Sequence, residues 1–405
     1  MRTRIFNVGT LVTGDLAQPL SPARSVTIDA GRIVAVGDGP AAVGPEATID
    51  ARGTTLAPGL WDSHHHPYFG EFTPRGEAFG TMTKTVRAGT VAVVSAGAAH
   101  QPGMYLPTPS LPNVQAAGGA GATPVARDAV GTKALAIVSV SAWRTLRPLG
   151  LKCFADTVIA ETGLREADFA ELAAAGVRRL KFLRPIPSRA EAERYTTWAR
   201  DHGMLVMTHT GGRSLIGDCA TIDEALRVIA PDIACHVNGG PTPPPTDVVD
   251  RLIDETGCTL DLVFHGNLRV AARILAKVQE RGELGRVVIG SDSPSEGGVN
   301  PGAILRFVTL LAGVTGIAPE CLYAMASGNT ARAFRLPGGR VAAGEPADLV
   351  LWDPMEGGVT TDALECIAYG DRLTPGIVMI DGAIRVHADP RSIAPKRIPA
   401  VTAEG

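Results

Sequence analysis

Histidine and carboxylate side chains recur at equivalent places along this chain of 405 residues, near the ends of short apolar runs. The candidate metal ligands of this kind are His64, His66, His209, His236 and Asp292. Imidazole and carboxylate groups suit divalent transition metals. Because side chains two apart in extended structure point the same way, His64 and His66 are predicted to face one cation while His65 points away. One histidine after a strand is usually a hydrogen-bonded structural residue, but the conjunction of these placements favours a metal site.

Predicted strands and helices alternate through the middle of the chain, over residues 61–337. Strands are predicted at Val91–Ser95, Lys152–Val158, Arg178–Leu183, Leu205–Thr208, Ile233–Cys235, Thr259–Phe264 and Val287–Gly290. Helices are predicted at Glu166–Ala175, Arg189–His202, Thr221–Ile229, Pro245–Thr256, Val270–Arg281 and Gly302–Ala312. Such alternation is typical of a parallel sheet, and this length fits an α/β fold of the (β/α)8 TIM-like barrel type. The carboxyl ends of its strands share one rim, so the ligand-type residues should meet there.

The two ends of the chain have a different, purely β pattern. Val26–Gly37 and Ile377–Val386 each contain a turn between β-branched residues, which predicts a hairpin, and Ala347–Trp352 predicts a further strand. Short strands of this kind are not stable alone. We therefore predict that residues 1–60 and 338–405 together form a small composite β-sandwich domain.

Lys181 lies on the predicted fourth barrel strand, whose end should reach the same rim. A lysine on a strand is usually solvated. An amine that has added CO2, however, becomes an anionic carbamate with two oxygens, which can bridge two cations. We predict that Lys181 is carboxylated and is the bridging ligand, with Glu161 as the next candidate for a bridge.

Four segments resemble a known family. Pro58–His66 is similar to the first-strand motif of the amidohydrolase superfamily, and His209–Gly212, His236–Thr242 and Gly285–Ser295 resemble its enamidase branch, whose reaction opens a cyclic enamide. The similarity extends over nearly the whole chain. At the bridging position that branch has a glutamate, whereas Lys181 is similar to the carboxylated lysine of the dihydropyrimidinase type.

The resemblance implies a binuclear metal centre. In it His64, His66 and Asp292 would hold the buried cation, and His209 and His236 the exposed one. We expect two divalent cations, with zinc as the first choice and iron, manganese or cobalt also compatible with these ligands.

The expected activity is hydrolysis of a C–N amide bond, with a small cyclic amide as the leading candidate substrate. Hydroxide between the two cations would attack the carbonyl, and the catalytic Asp292 would carry the proton to the leaving nitrogen. Candidate substrate-binding residues are His100, Arg184, Arg213 and His265, of which Arg213 and His265 depart from the branch pattern. His100 and His265 have the alternative of being hydrogen-bonded loop histidines. Of the aromatic residues, Trp61, Tyr68, Phe69 and Phe264 are expected near the mouth.

Two alternatives remain at this point. The same metal centre could hydrolyse open-chain N-acyl or aryl amides, and a barrel of this type could be a non-catalytic binding protein. Retention of all six candidate ligands argues against the second alternative.

Composition and charge exclude several classes of partner. The net charge is −3 with no basic stripe, which gives no electrostatic case for nucleic acid. No apolar run is long enough to cross a bilayer, and the N-terminus lacks the apolar core of a signal peptide. Six scattered cysteines are typical of reduced thiols. We expect a cytoplasmic homo-oligomer that acts on a small molecule.

Overall fold

The computed structural model describes residues 2–37, 46–67, 75–98, 128–183, 188–210, 228–240, 243–294 and 298–403. Its strands are β1 (Thr3–Phe6), β2 (Thr10–Val12), β3 (Leu20–Ser21), β4 (Val26–Asp29), β5 (Arg32–Val36), β6 (Ala47–Asp50), β7 (Thr55–Pro58), β8 (Leu60–His65), β9 (Thr90–Ser95), β10 (Lys152–Phe154), β11 (Thr157–Ile159), β12 (Arg179–Phe182), β13 (Leu205–His209), β14 (Ile233–Cys235), β15 (Thr259–Val263), β16 (Val287–Gly290), β17 (Leu349–Pro354), β18 (Leu373–Ile380), β19 (Ala383–His387) and β20 (Ala400–Ala403).

The described α-helices are α1 (Arg75–Arg87), α2 (Ala129–Thr145), α3 (Glu166–Ala175), α4 (Arg189–Asp201), α5 (Thr246–Glu255), α6 (Leu268–Glu280), α7 (Ala303–Thr315), α8 (Pro319–Met325), α9 (Gly328–Ala333) and α10 (Ala363–Tyr369). Single 3-10 turns occur at Pro148–Gly150 and Leu284–Arg286. Helices α3 to α6 lie between the strands β11 to β16 as predicted, except between β13 and β14, where most of the predicted helix Thr221–Ile229 lies outside the described residues. None of the described helices is both long and apolar enough to span a membrane.

Strands β8 to β16 form the parallel wall of an α/β TIM-like barrel. They pair in sequence order, β8 to β10 in one sheet and β11 to β16 in another. The predicted third strand is interrupted at Ala155 and Asp156, so β10 and β11 together occupy one position in the wall. With that pair counted once, the wall has eight positions, and β12 is the fourth of them. The barrel prediction is therefore confirmed.

The barrel closes between its last and first strands. The backbone amide of Asp292 donates to the carbonyl of His64 (2.8 Å), and the amide of His66 donates to the carbonyl of Ser293 (2.7 Å). Gly290 permits this close approach, because a Cβ atom there would lie 2.6 Å from the Cβ of His64. The closure brings residues from opposite ends of the barrel sequence into direct contact.

Both ends of the chain contribute to two further sheets. One has the order β20-β6-β1-β4-β5 and the other β19-β18-β17-β7-β2-β3. Both predicted hairpins are present, as β4–β5 and β18–β19. Alternate residues of β1, β4 and β6 are buried, and their apolar side chains share one core with β17 and β18.

The mostly apolar run Leu56–Asp62 contains parts of two strands. Its first part, β7, pairs with β17 of the terminal sheet, and its second part, β8, is the first barrel strand. The break falls at Gly59, where a Cβ atom would lie within 2.3 Å of the Val91 side chain. The chain therefore passes from the terminal sheets into the barrel at a residue that must be small.

An ion-pair cluster joins the barrel to the C-terminal sheet. The Lys152 ammonium on β10 lies 2.6 Å from the buried carboxylate of Asp348 and 2.7 Å from that of Asp381. Arg147 also reaches Asp381, at 2.8 Å. Burial of Asp348 raises the pKa of its carboxyl group, which Lys152 counteracts. Charge pairing thus helps to fix the sheet that contains β17 and β18 against the third strand position of the barrel.

Candidate metal centre

His64 is fully buried in β8, and a carboxylate fixes its ring from behind. Its Nδ1 lies 2.6 Å from Oδ2 of Asp261 on β15. The other oxygen of Asp261 accepts the hydroxyl of Ser63 at 2.5 Å. The Nε2 atom of His64 then lies 3.5 Å from the Asp292 carboxylate. This is the arrangement in which a carboxylate sets the tautomer and orientation of a metal-ligating histidine.

His66 directly follows β8, and its ring faces the same Asp292 carboxylate. Its Nδ1 donates to the backbone carbonyl of Gly97 at 2.8 Å, and its Nε2 lies 3.1 Å from Oδ1 of Asp292. Gly97 has a φ of 90°, and a Cβ atom there would lie 2.4 Å from Ile159. Only glycine therefore allows that carbonyl to orient His66.

His65 has a separate set of contacts. Its Nδ1 lies 3.0 Å from Asp62, whose carboxylate also accepts the backbone amide and the hydroxyl of Ser291. The alternation inferred from the sequence thus matches the structure, because His65 points away from the Asp292 carboxylate that His64 and His66 share.

His209 and His236 form the second pair of rings. Their centroids are 4.2 Å apart with the planes at 72°, and His236 lies 5.1 Å from the His64 ring. The His236 Nδ1 donates to the carbonyl of Thr210 at 3.1 Å. The His209 Nδ1 is buried without a hydrogen-bond partner in the described part of the chain. Buried polar atoms normally have a partner, so this donor set fits a divalent cation.

Lys181 on β12 completes the cluster. Its side chain is 1% exposed, and its Nζ lies 3.3 Å from Nε2 of His64. None of the ion pairs between described residues includes Lys181. An ammonium group buried beside imidazoles without a counterion is costly.

Two strained backbone positions lie at this cluster. Asp292 has a φ of 60° and His236 a φ of 39°, in the left-handed region that disfavours residues with a Cβ atom. Such strain tends to concentrate at functional sites, where the surrounding structure holds it in place. Here the β8–β16 closure holds Asp292, and the Asp261 carboxylate accepts the amide of His236 at 3.2 Å.

Burial and charge set the protonation of the cluster. Burial, with a contribution from Lys181, lowers the pKa of His209 to about 3, and burial holds the pKa of His236 well below its ordinary value. Both rings are therefore neutral at pH 7 and have a lone pair available for a cation. For His64, burial lowers the pKa, but Asp261 and Asp292 outweigh it and raise the pKa to about 10. Cation binding at His64 must therefore displace a proton.

The remaining candidate residues have different outcomes. His265 lies beside the cluster, with its Nδ1 3.1 Å from the carbonyl of Asp292. His100, Arg184 and Arg213 lie outside the described residues. Glu161 is buried near the end of β11.

One of the four aromatic residues expected near the mouth of the barrel lies elsewhere. Trp61 is fully buried and stacks on Phe154 at a centroid distance of 5.6 Å, so it offers no surface to a ligand. The expectation was wrong because Trp61 lies near the start of β8, whereas the mouth is at the strand ends. Tyr68 and Phe69 lie outside the described residues. Phe264 is partly buried and packs edge-on against Phe307.

Asp261 is the residue of this cluster that the sequence reasoning missed. It is 1% exposed and contacts Ser63, His64 and the amide of His236, so one carboxylate supports two of the candidate ligands. The available signal was a carboxylate in the otherwise apolar strand Thr259–Val263. A charged residue is seldom fully buried unless it is paired, and that rule could have identified it.

We expect Asp261→Asn to weaken metal binding about 10–100-fold, the usual cost of losing such a supporting carboxylate. The amide keeps the size of the side chain but removes the charge that orients His64. Metal affinity would be measured by competition with a chelator. Asp168→Asn, which changes a buried carboxylate of α3 paired with Lys133, is the matched control and should retain wild-type metal affinity. Equal affinities for the two variants would contradict a role for Asp261.

Comparison with known proteins decides the family. The model of the amidohydrolase family matches residues 184–385. Enamidase of Eubacterium barkeri is 35% identical over 386 residues, which are 94% of each chain. The chain belongs to the amidohydrolase superfamily.

Solved structures agree with this membership. The crystal structure of enamidase superposes with a TM-score of 0.87 at 34% identity, covering 99% of this chain and 100% of that one. An amidohydrolase from an environmental sample of the Sargasso Sea has a TM-score of 0.63 at 19% identity, covering 96% and 93%, and shows the shared fold alone. As an amidohydrolase, the chain is a metal-binding hydrolase that acts on C–N bonds other than peptide bonds.

Proposed function

We propose that six side chains of this amidohydrolase hold two divalent cations, zinc in the first instance. His64, His66 and Asp292 would hold the first cation, and His209 and His236 the second, with Lys181 between them. The support is geometric, since ligand atoms of His64, His66 and Asp292 all lie within 4.8 Å of one another. The orphaned Nδ1 of His209 supports the second position.

The bridge would be a carbamate formed on Lys181. The Lys181 ammonium first loses one proton, and the uncharged amine then adds to the carbon of CO2 and loses a second. The cationic side chain thereby becomes an anion with two ligand oxygens. Burial of Lys181 without a carboxylate partner among the described residues supports this change of charge. Its distance of 3.3 Å from His64 places the modified group among the other ligands.

The proposed reaction is hydrolysis of an amide, with Asp292 moving the proton. Bound divalent cations supply Lewis-acid polarisation of the carbonyl and lower the pKa of water to near 7. Asp292 accepts the proton of the attacking water at a carboxylate oxygen and delivers it to the leaving nitrogen. His66 orients that carboxylate, and the backbone closure between Asp292 and His64 fixes its position. Burial of the cluster excludes bulk water from these steps.

The proposed substrate is a small, largely planar cyclic amide that is opened to a carboxylate product. The observation that supports this proposal is the similarity to enamidase, which is 35% identical over 94% of the chain. His265 is held beside Asp292 at the mouth and, together with His100, Arg184 and Arg213, would contact the substrate. The departures at His265 and Arg213 are where a different ring substituent would be recognised.

Metal analysis and a substrate panel test these proposals. Protein purified without chelator should hold about two divalent cations per chain, and chelation should abolish activity. On a panel of lactams, cyclic imides, hydantoins and open-chain N-acyl or aryl amides, the cyclic compounds should have the highest kcat/KM. If the open-chain amides have the higher kcat/KM, hydrolysis of open-chain amides at the same metal centre replaces the cyclic-amide proposal. Activity that survives complete removal of metal would overturn both.

We also propose that residues 1–60 and 338–405 act as one composite β-sandwich domain. The shared apolar core of the two terminal sheets supports this division. Limited proteolysis should then release no stable fragment made of the N-terminal strands alone.

A further inference from the structure

A cavity of about 770 Å³ lies between α1, α7 and the segment around β18. None of the six candidate ligands is among its described lining residues. Its walls combine charged side chains with an apolar surface. The cavity is therefore a second concave site, and the proposed reaction assigns no role to it.

The charge of this cavity is opposite in sign to that of the whole chain. Of the described lining residues, five are basic and two are acidic, an excess of three positive charges on a chain of net charge −3. The basic residues are Lys84, Arg87, Arg306, Arg372 and Arg391, and the acidic ones are Asp371 and Asp389. Such a local excess attracts anions.

Three of these cations have no acidic partner among the residues that the structure describes. Arg87 and Arg391 both contact the Asp389 carboxylate, at 2.7 and 3.0 Å. By contrast, the described ion pairs include none for Lys84, Arg306 or Arg372, and these three side chains are exposed at the cavity. The Asp371 carboxylate accepts the backbone amide of Arg372 at 2.8 Å. The unpaired cations come from three separate elements and converge on one space.

The apolar part of the lining restricts the kind of anion. Phe264, Leu305, Met355, Leu373, Pro375 and Ile393 form this part. A ligand pocket typically combines such walls with a few polar groups that fix orientation. An inorganic anion would contact the basic side chains and leave the apolar walls without a partner. A neutral ring would contact the apolar walls and leave the basic side chains without one.

We propose that this cavity binds a small aromatic carboxylate, with its ring against the apolar wall and its carboxylate groups on Arg306 and Arg372. Guanidinium groups bind carboxylates through paired hydrogen bonds, which gives arginine the geometry for this role. The cavity also reaches the metal centre through one residue, because Phe264 lines it while the neighbouring His265 contacts the carbonyl of Asp292. The binding site stands on its own and does not depend on which amide the enzyme opens.

Calorimetric titration of the zinc-loaded protein with phthalate tests the proposal. Phthalate should bind, benzamide should not, and inorganic phosphate should bind more weakly because it lacks a ring. The double variant Arg306→Gln/Arg372→Gln should lower phthalate affinity about 100-fold, at about tenfold for each charged hydrogen-bonding group. The matched control Arg194→Gln/Arg269→Gln, which neutralises two exposed arginines elsewhere, should leave affinity unchanged.

Three results would overturn the proposal. Absence of phthalate binding to the wild-type protein is the first. Equal affinity in the cavity and control variants, with melting temperatures showing both folded, is the second. The third is phthalate binding that is lost on chelation yet unaffected by Arg306→Gln/Arg372→Gln, which would assign the anion to the metal centre. If Arg306→Gln/Arg372→Gln does not fold, Arg372→Gln alone should still lower phthalate affinity about tenfold.

Discussion

Asp292→Asn should lower kcat about 10²–10⁴-fold while changing KM little, the range expected for loss of a general acid–base group. The amide oxygen can still face His66, whose Nε2 lies 3.1 Å from the present carboxylate. An amide, however, does not accept the proton of the attacking water. Steady-state kinetics with the best cyclic amide of the panel, together with metal analysis, would measure the effect.

The control for this variant is Asp353→Asn, which alters a fully buried carboxylate that pairs with Arg397 in the terminal sheets. That change should lower the melting temperature and leave kcat unaltered. If Asp292→Asn retains metal and also near-normal turnover, another group moves the proton and the proposed role of Asp292 is wrong.

Lys181→Ala should lose metal and activity together. Removal of the bridge leaves two cations without a shared anion, so we expect a fall in kcat of at least about 10³-fold, corresponding to several kcal/mol of electrostatic stabilisation. Short carboxylates such as acetate or propionate, added in solution, should partly restore both quantities because they can enter the space that the side chain leaves. Metal content and rate would be measured with and without the added acid.

Lys133→Ala is the matched comparison, since Lys133 is a half-buried lysine paired with Asp168 and Glu171 outside the cluster. It should keep metal and turnover and show no response to added carboxylates. Mass spectrometry of the intact wild-type protein at high bicarbonate offers a direct measurement of the carbamate. An unmodified Lys181 in protein that contains both metals would contradict the proposed bridge and make Glu161 the next candidate.

Most strands of the barrel were predictable because they are largely apolar runs bounded by polar residues. Ile233–Cys235 and Val287–Gly290 have the predicted bounds, and β12 differs by one residue at each end. Parallel strands buried on both faces require such continuous apolar runs. The ligand-type residues at the strand ends were visible for the same reason, because they interrupt that pattern at its edge.

Helix α2 was not predicted, and its composition explains why. Its buried positions are Thr132, Ala136, Ser139 and Trp143, so the face that packs inward consists largely of small and polar residues. Hydrophobic periodicity therefore gives no sign of that face. Asp261 was missed for a different reason, since its partner His64 lies 197 residues away in sequence and the contact forms only when the barrel closes.

The pairing of the first strands with the last ones has a consequence for synthesis on the ribosome. Strand β7 needs β17, and β8 needs β16 to close the wall. Between Pro58 and its partner Leu349 lie 290 residues, which a ribosome takes roughly 15–60 s to make. For that time the nascent N-terminal segment exposes unpaired β edges, a substrate for holding chaperones. His64 and Asp292 meet where β8 and β16 close the barrel wall. Metal uptake should therefore mark the end of folding.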